Sequence, residues 1–186
     1  MIKKADKKNI NNISTLIYDA IHNVANTLTG EDEDKKILEN LDYYIKMDVC
    51  RLSYNNIYTY NIDNQNVGIL LAYGSNDVEK LDKPMLEHLK RKNIFLDSFE
   101  KECFEDEFYI DTVSVSPSFQ GRGIAKELFS FAEQKAKELG FKKLSLLVDF
   151  ENPKAKALYE RLGFQDNKIL KVSGSNFYHM IKKLDL

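Results

Sequence analysis

No stretch of this 186-residue chain approaches the roughly 18 apolar residues that a membrane span requires, and Met1-Ile2-Lys3-Lys4-Ala5-Asp6 runs directly into polar residues. The expected location is therefore cytoplasmic, with no membrane partner. An excess of charge is also missing, because 27 basic side chains stand against 29 acidic ones for a net charge of -2. Without a basic field the chain has no electrostatic reason to seek nucleic acid, and none is expected as a partner. Cysteine and histidine are scarce as well. Cys50 and Cys103 lie far apart, and His22, His88 and His179 fall at no metal-ligand spacing, so no metal is expected and the cysteines read as buried free thiols. Repeats and low-complexity linkers are absent. One domain over residues 1–186 is expected, long enough to bury a sizeable core, as a monomer or homodimer.

What is present is patterned. Ile2 to Ala5 reads as a short edge strand, and Ile13, Leu16, Ile17, Ala20, Ile21, Val24 and Leu28 recur at helical spacing as one helix up to the breaker Thr29-Gly30. Ile37, Leu38, Leu41, Tyr44 and Ile45 predict a second helix, with the acids Glu31 to Asp34 at its dipole-favoured start. Ile57 to Ile62 and Val67 to Tyr73 are rich in β-branched and aromatic residues around Asp63-Asn64-Gln65-Asn66, which predicts an antiparallel hairpin. A polar segment at about 76–106 interrupts the strands and is expected as a helical insertion, a lid or acceptor-side element. Alternation in Tyr109 to Val115 predicts a strand with Tyr109, Asp111, Val113 and Val115 on one face. Ile124 to Leu139 is an amphipathic helix capped by Gly140, and Lys143 to Val148 is a strand parallel to the preceding one. Asn152-Pro153 starts a short helix to Leu162, and Lys168 to Val172 pairs with Asn176 to Lys182 across Ser173-Gly174-Ser175.

The turn Gln120-Gly121-Arg122-Gly123-Ile124-Ala125 joins that strand to that helix. Its glycines allow close backbone approach, and first-turn helix amides lack partners, so the turn suits an anion. A dinucleotide fingerprint fails because Lys126 stands where a third small residue must pack, and a P-loop fails because Ile124 and Ala125 follow Gly123 in place of Lys and Ser or Thr. What remains is a Gln-x-x-Gly-x-Ala pattern, met by Gln120, Gly123 and Ala125. Downstream, Asn152-Pro153-Lys154-Ala155-Lys156-Ala157-Leu158-Tyr159-Glu160-Arg161-Leu162-Gly163-Phe164 supplies a second pattern, in which Asn152 and Tyr159 lie two helical turns apart on one side while Leu158 and Leu162 face the core. Asn152 could equally be a plain helix cap and Tyr159 a packed aromatic.

Between Tyr109 and Phe164 these two motifs resemble the GNAT family of N-acetyltransferases. The resemblance implies an α/β (α+β) chain with the acyl-CoA N-acyltransferase fold: a mixed, mostly antiparallel sheet, one parallel strand pair at the coenzyme site, and helices on both faces. It implies acetyl-coenzyme A as co-substrate and direct acetyl transfer to a primary amine. Backbone amides of Gly121, Arg122, Gly123, Ile124, Ala125 and Lys126 would hold the pyrophosphate, with Gln120 in the same turn. Backbone groups of Val113 and Val115 would bind the pantetheine arm where the parallel strands splay, Asn152 would contact the arm or a phosphate, and Tyr159 would return a proton to the departing thiolate. Arg122 would pair with a phosphate or remain a solvated turn residue.

Some relatives carry a carboxylate where this chain has Tyr109, which leaves Asp111 and Glu107 as candidate bases, or as half-exposed strand acids. Freeing a lone pair on an amine of pKa about 10.4 costs roughly 4.6 kcal/mol at pH 7, so such a group is needed. Asp97, Glu100, Glu102, Glu105, Asp106, Glu107 and Asp111 face a single Lys101 in their stretch, and with Glu31 to Asp34 they point to a cationic small-molecule or peptide acceptor, or to a solvated acidic surface. The alternative function is a binding or regulatory module that keeps the coenzyme site and does no chemistry.

Overall fold

The computed structural model of the chain describes residues 1–185. Seven strands form one sheet in the order β1-β2-β3-β4-β5-β7-β6. They are β1 (Ile2–Lys4), β2 (Ile57–Ile62), β3 (Gln65–Gly74), β4 (Glu107–Val115), β5 (Lys143–Asp149), β6 (Gln165–Val172) and β7 (Ser175–Lys183). Only β4 and β5 run parallel; the other neighbours are antiparallel. The helices are α1 (Ile13–Ile21), α2 (Val24–Thr29), α3 (Asp34–Ile45), α4 (Val78–Arg91), α5 (Ile124–Glu138) and α6 (Pro153–Arg161). Among the described residues no helix is long and apolar enough to cross a membrane.

Strand alternation splits the core into two layers. Ile57, Ile69 and Leu71 pack with the apolar stripes of α1 to α4, whereas Val67, Leu70, Ala72, Phe108 and Ile110 pack with Ile124, Leu128 and Ala132 of α5. Gly68 lets α5 pack closely on the second face, where a Cβ would approach Ile124 Cγ2 to 3.2 Å and the Ser114 carbonyl to 3.3 Å. The hairpin turns use left-handed residues, Asp63 and Asn64 (φ 47° and 63°) and Ser173 and Gly174 (φ 47° and 86°), as two-residue turns between twisted strands require.

Two expectations are corrected. The helix expected from Ile13 to Leu28 is two helices, because His22 adopts φ 43° and ψ -119° and ends α1. Apolar spacing continues through this break, so periodicity cannot reveal it. The 76–106 segment, expected to be helical, holds α4 with Pro84 inside it, and the chain between α4 and β4 forms neither helix nor strand. In β4 the register slips: Leu71 faces Thr112 and Ala72 faces Ile110, so Asp111 is the extra residue of a β-bulge. Tyr109 therefore does not share a face with Val113 and Val115, which lie with Ile110 on the α5 side.

Candidate functional site

Parallel pairing of β4 with β5 stops at Ile110 and Leu146, although both strands continue. Beyond that point they part and leave a cleft of about 850 Å³. Val113, Val115 and Gln120 line it on the β4 side, Leu147 to Asp149 on the β5 side, and Asn152, Ala155 and Tyr159 from α6. Asp19 to Val24, Arg51, Glu102, Tyr109 and Asp111 also line it. The kink at His22 thus places the end of α1 in the wall.

Gln120 leads from the cleft into an exposed turn. Gly121 and Gly123 have φ 75° and 82°, and a Cβ at either would meet nothing within 4 Å. Gly123 caps α5, whose first bridging bond runs from the Glu127 amide to the Gly123 carbonyl, and the amides of Gly121, Arg122, Gly123, Ile124, Ala125 and Lys126 make no hydrogen bond among the described residues. Six adjacent free donors at a positive helix end fit a pyrophosphate. Arg122 turns back instead, donating to the Ser118 carbonyl at 3.1 Å and covering Phe119, and Gln120 Nε2 donates to the Val115 carbonyl at 3.1 Å. Gln120 therefore clasps the turn to β4 through its side chain.

On α6, Asn152 Oδ1 caps the helix by accepting from the Ala155 amide at 3.1 Å while the residue lines the cleft, so the cap and the wall are one residue. Tyr159 packs its ring on Phe129 and Phe164, and its hydroxyl has no hydrogen-bond partner among the described residues. Burial pushes that phenol above its ordinary pKa, which keeps it protonated. Ala155, Tyr159 and Leu162 pack against the core, rather than the Leu158 and Leu162 pair expected.

The two candidate bases part company. Glu107 is outside the cleft wall; it is buried, accepts from the Phe104 amide at 2.9 Å, and lies 3.0 Å from Nε2 of the buried His179. Burial alone would raise its carboxyl, but His179 and the Phe104 amide hold it below the usual carboxylate range. Asp111 lines the cleft. Its Oδ2 accepts from the Tyr73 hydroxyl at 2.6 Å and its Oδ1 from Thr112 Oγ1 at 3.0 Å. Burial pushes its carboxyl up to about 6, against the opposing pull of Arg51.

The Acetyltransferase (GNAT) family profile matches residues 28–164, most of the chain. The chain belongs to the GNAT family. It is 34% identical over 71 residues, 38% of its length, to the uncharacterized N-acetyltransferase YycN of Bacillus subtilis. It is 35% identical over 75 residues to an uncharacterized N-acetyltransferase of Methanocaldococcus jannaschii. These stretches are 46% and 31% of the relatives' own lengths, so the chain spans less than half of either. A solved structure described as an acetyltransferase matches over 100% of both chains, with a TM-score of 0.80 and 30% identity. An N-acetyltransferase from Staphylococcus aureus Mu50 has the same fold at a TM-score of 0.80 and 24% identity, over 97% of this chain and 99% of that one.

This GNAT chain also holds residues in its cleft that the sequence motifs did not mark. Arg51, 3% exposed, donates from Nε and Nη2 to Asp82 at 2.8 and 3.1 Å and from Nη1 to Glu102 at 2.6 Å. The other oxygen of Glu102 accepts from Tyr109 at 2.7 Å. One signal was available: Asp82, Met85 and Leu89 share one side of α4 at helical spacing, an acid in an apolar stripe that must find a partner. Of the expected acidic field, Glu102 and Asp111 reach the cleft, whereas Glu31 to Asp34 do not; Glu31 pairs with Lys92 and Asp34 with Tyr18.

The free-amide turn makes a paired prediction. Gly123→Ala and Gly140→Ala each force a left-handed alanine at a cost of about 1–2 kcal/mol, since Gly140 has φ 80° and equally open space. Only the first stands at the amide cluster. By calorimetry with coenzyme A, Gly123→Ala is expected to weaken binding at least about tenfold, or 1.4 kcal/mol, and Gly140→Ala to leave it unchanged.

Proposed function

We propose that the protein transfers an acetyl group from acetyl-coenzyme A directly to a primary amine of a cationic small molecule or peptide. One observation carries the reading: an unpaired amide turn, a splayed strand edge, a tyrosine hydroxyl with no partner among the described residues and a half-buried carboxylate all border or adjoin one cleft. Gly121 to Lys126 would hold the pyrophosphate, and the β4 edge at Val113 and Val115, with Asn152, would hold the pantetheine arm. Acetyl-coenzyme A when bound supplies an activated acetyl thioester. The reacting amine would attack the thioester carbonyl in its neutral form, its nitrogen bonding to the acetyl carbon as the carbon–sulfur bond breaks; Asp111 takes the proton the nitrogen sheds on forming that bond, and Tyr159 donates one to the leaving sulfur. Glu107, the other candidate base, is better suited to fastening β4 to β7 through His179. No enzyme nucleophile is invoked, because Cys50 and Cys103 are outside the cleft wall and burial pushes both thiols up to about 12.

Five acids, Asp19, Glu102, Asp111, Asp149 and Glu151, line the cleft against one arginine, which favours a cationic acceptor. The test is release of free thiol from acetyl-coenzyme A in the presence of a panel of diamines, amino sugars, lysine peptides and neutral-tailed amines. Amine-dependent thiol release, strongest with the cationic members, is expected. Calorimetric binding of the coenzyme with no thiol release from any amine would instead identify a binding module.

A further inference from the structure

We propose that Arg51 and Tyr73 are positioning residues for Asp111: they orient its carboxylate in the cleft wall and keep it charged when the acceptor arrives. The inference rests on the reading of Asp111 as the proton acceptor.

The arrangement is a chain of held side chains. Asp82 on α4 grips Arg51 through two hydrogen bonds, Arg51 grips Glu102, and Glu102 grips the hydroxyl of Tyr109. The Tyr109 ring meets the buried Tyr73 ring edge-on with centroids 5.7 Å apart, and Tyr73 donates to Asp111. Tyr73 is therefore packed where it donates, and both carboxylate oxygens of the bulge residue are engaged, one by the Tyr73 side chain of β3 and one by the Thr112 side chain of β4. Arg51 makes no hydrogen bond to Asp111 and acts by charge. The ionisable groups around Asp111 are Arg51 and Cys50 from the segment before β2, Tyr73 from β3, Asp82 from α4, Glu102 and Cys103 from the segment before β4, and Tyr109 of β4, with Asp19 and His22 sharing the cleft wall. Arg51 is the one permanent cation in that set. Without it, Glu102 would face Asp82 on one side and Asp111 on the other with no cation between them, and carboxylates so crowded away from water take up protons instead of remaining charged. A protonated Asp111 cannot accept a proton from an amine.

Carbon-13 NMR of carboxyl-labelled aspartate, with Asp111→Asn to assign the signal, reads the titration directly and needs no acceptor. Tyr73→Phe removes a donor to the charged form and is expected to move the Asp111 titration to higher pH. Glu102→Gln removes a like charge and is expected to move it to lower pH by about one pH unit. Arg51→Lys, which keeps the charge, should leave it close to wild type. The acidic limb of kcat/KM, measured with the amine found by thiol release, should move in the same two directions. General loosening of the fold would not give shifts of opposite sign, so a titration unmoved by both variants, or moved the same way by both, overturns the proposal. If the titrations move as expected while Asp111→Asn retains full turnover, the assignment of Asp111 as proton acceptor fails instead.

Discussion

Replacement of Tyr159 by Phe is expected to lower turnover by about 10²-fold, the usual contribution of a positioned proton donor, while coenzyme affinity stays within about twofold, far less than the 1.4 kcal/mol of a tenfold change. The variant is clean. The ring keeps its contacts with Phe129 and Phe164, and the hydroxyl it loses has no hydrogen-bond partner among the described residues, so folding stability should not change measurably. Energetics points to an acid rather than a base. An ordinary phenol of pKa about 10 already holds its proton against a thiolate near 8.5 by roughly 2 kcal/mol. Burial raises the phenol further. A fully formed thiolate in free solution would not draw the proton, but a desolvated sulfur gaining charge in the cleft is more basic, and transfer concerted with bond breaking avoids a free anion. Steady-state kinetics with the acceptor found by thiol release, alongside calorimetry with coenzyme A, checks both halves. Unchanged turnover would show that the sulfur takes its proton from elsewhere.

The parts of this site that were legible in the sequence are those whose physics is local. Gly121 and Gly123 announce left-handed backbone, the stripe Ile124, Leu128 and Ala132 announces the helix behind them, and Asn152-Pro153 announces a helix start; each needs only neighbours within a turn or two. The bulge at Asp111 was hidden because polar and apolar residues go on alternating through it, and only pairing with β3 shows that one residue is extra. Charge counting over Asp97 to Asp111 measured composition and not direction: Asp97, Glu100, Glu105 and Asp106 are exposed, whereas Glu102 turns inward to Arg51 and Tyr109. Arg51 lies 31 residues from Asp82 and 51 from Glu102, so no window short enough to show a motif contains the three.

Arg51→Met is expected to destabilise the protein by about 3–5 kcal/mol, the cost of leaving buried partners uncompensated, and to lower Tm by roughly 10 °C at this chain length. Burial already holds the Asp82 carboxyl above its ordinary pKa despite two hydrogen bonds from Arg51, so the intact pair only partly offsets its own desolvation. Removing the guanidinium leaves Asp82 buried with no cation and raises its carboxyl further, and it strips Glu102 of its partner. The pH dependence follows from the sign. A carboxyl raised in the folded state binds more protons there than in the unfolded chain, so stability falls as pH rises through that range. The Tm deficit of the variant should therefore be largest above neutrality and shrink towards pH 5, where scanning calorimetry would find the two proteins closer. A triple variant, Arg51→Met with Asp82→Leu and Glu102→Met, removes the orphaned charges and should recover most of the lost stability, because buried ion pairs replaced by apolar groups of similar volume are often neutral or better. Its acetyl transfer at neutral pH should be impaired less than that of Arg51→Met alone, because losing Arg51 raises the Asp111 carboxyl while losing Glu102 lowers it. Turnover that follows the Asp111 titration, and not the Tm, across the single and triple variants distinguishes a cluster kept for the reaction from one kept for the fold.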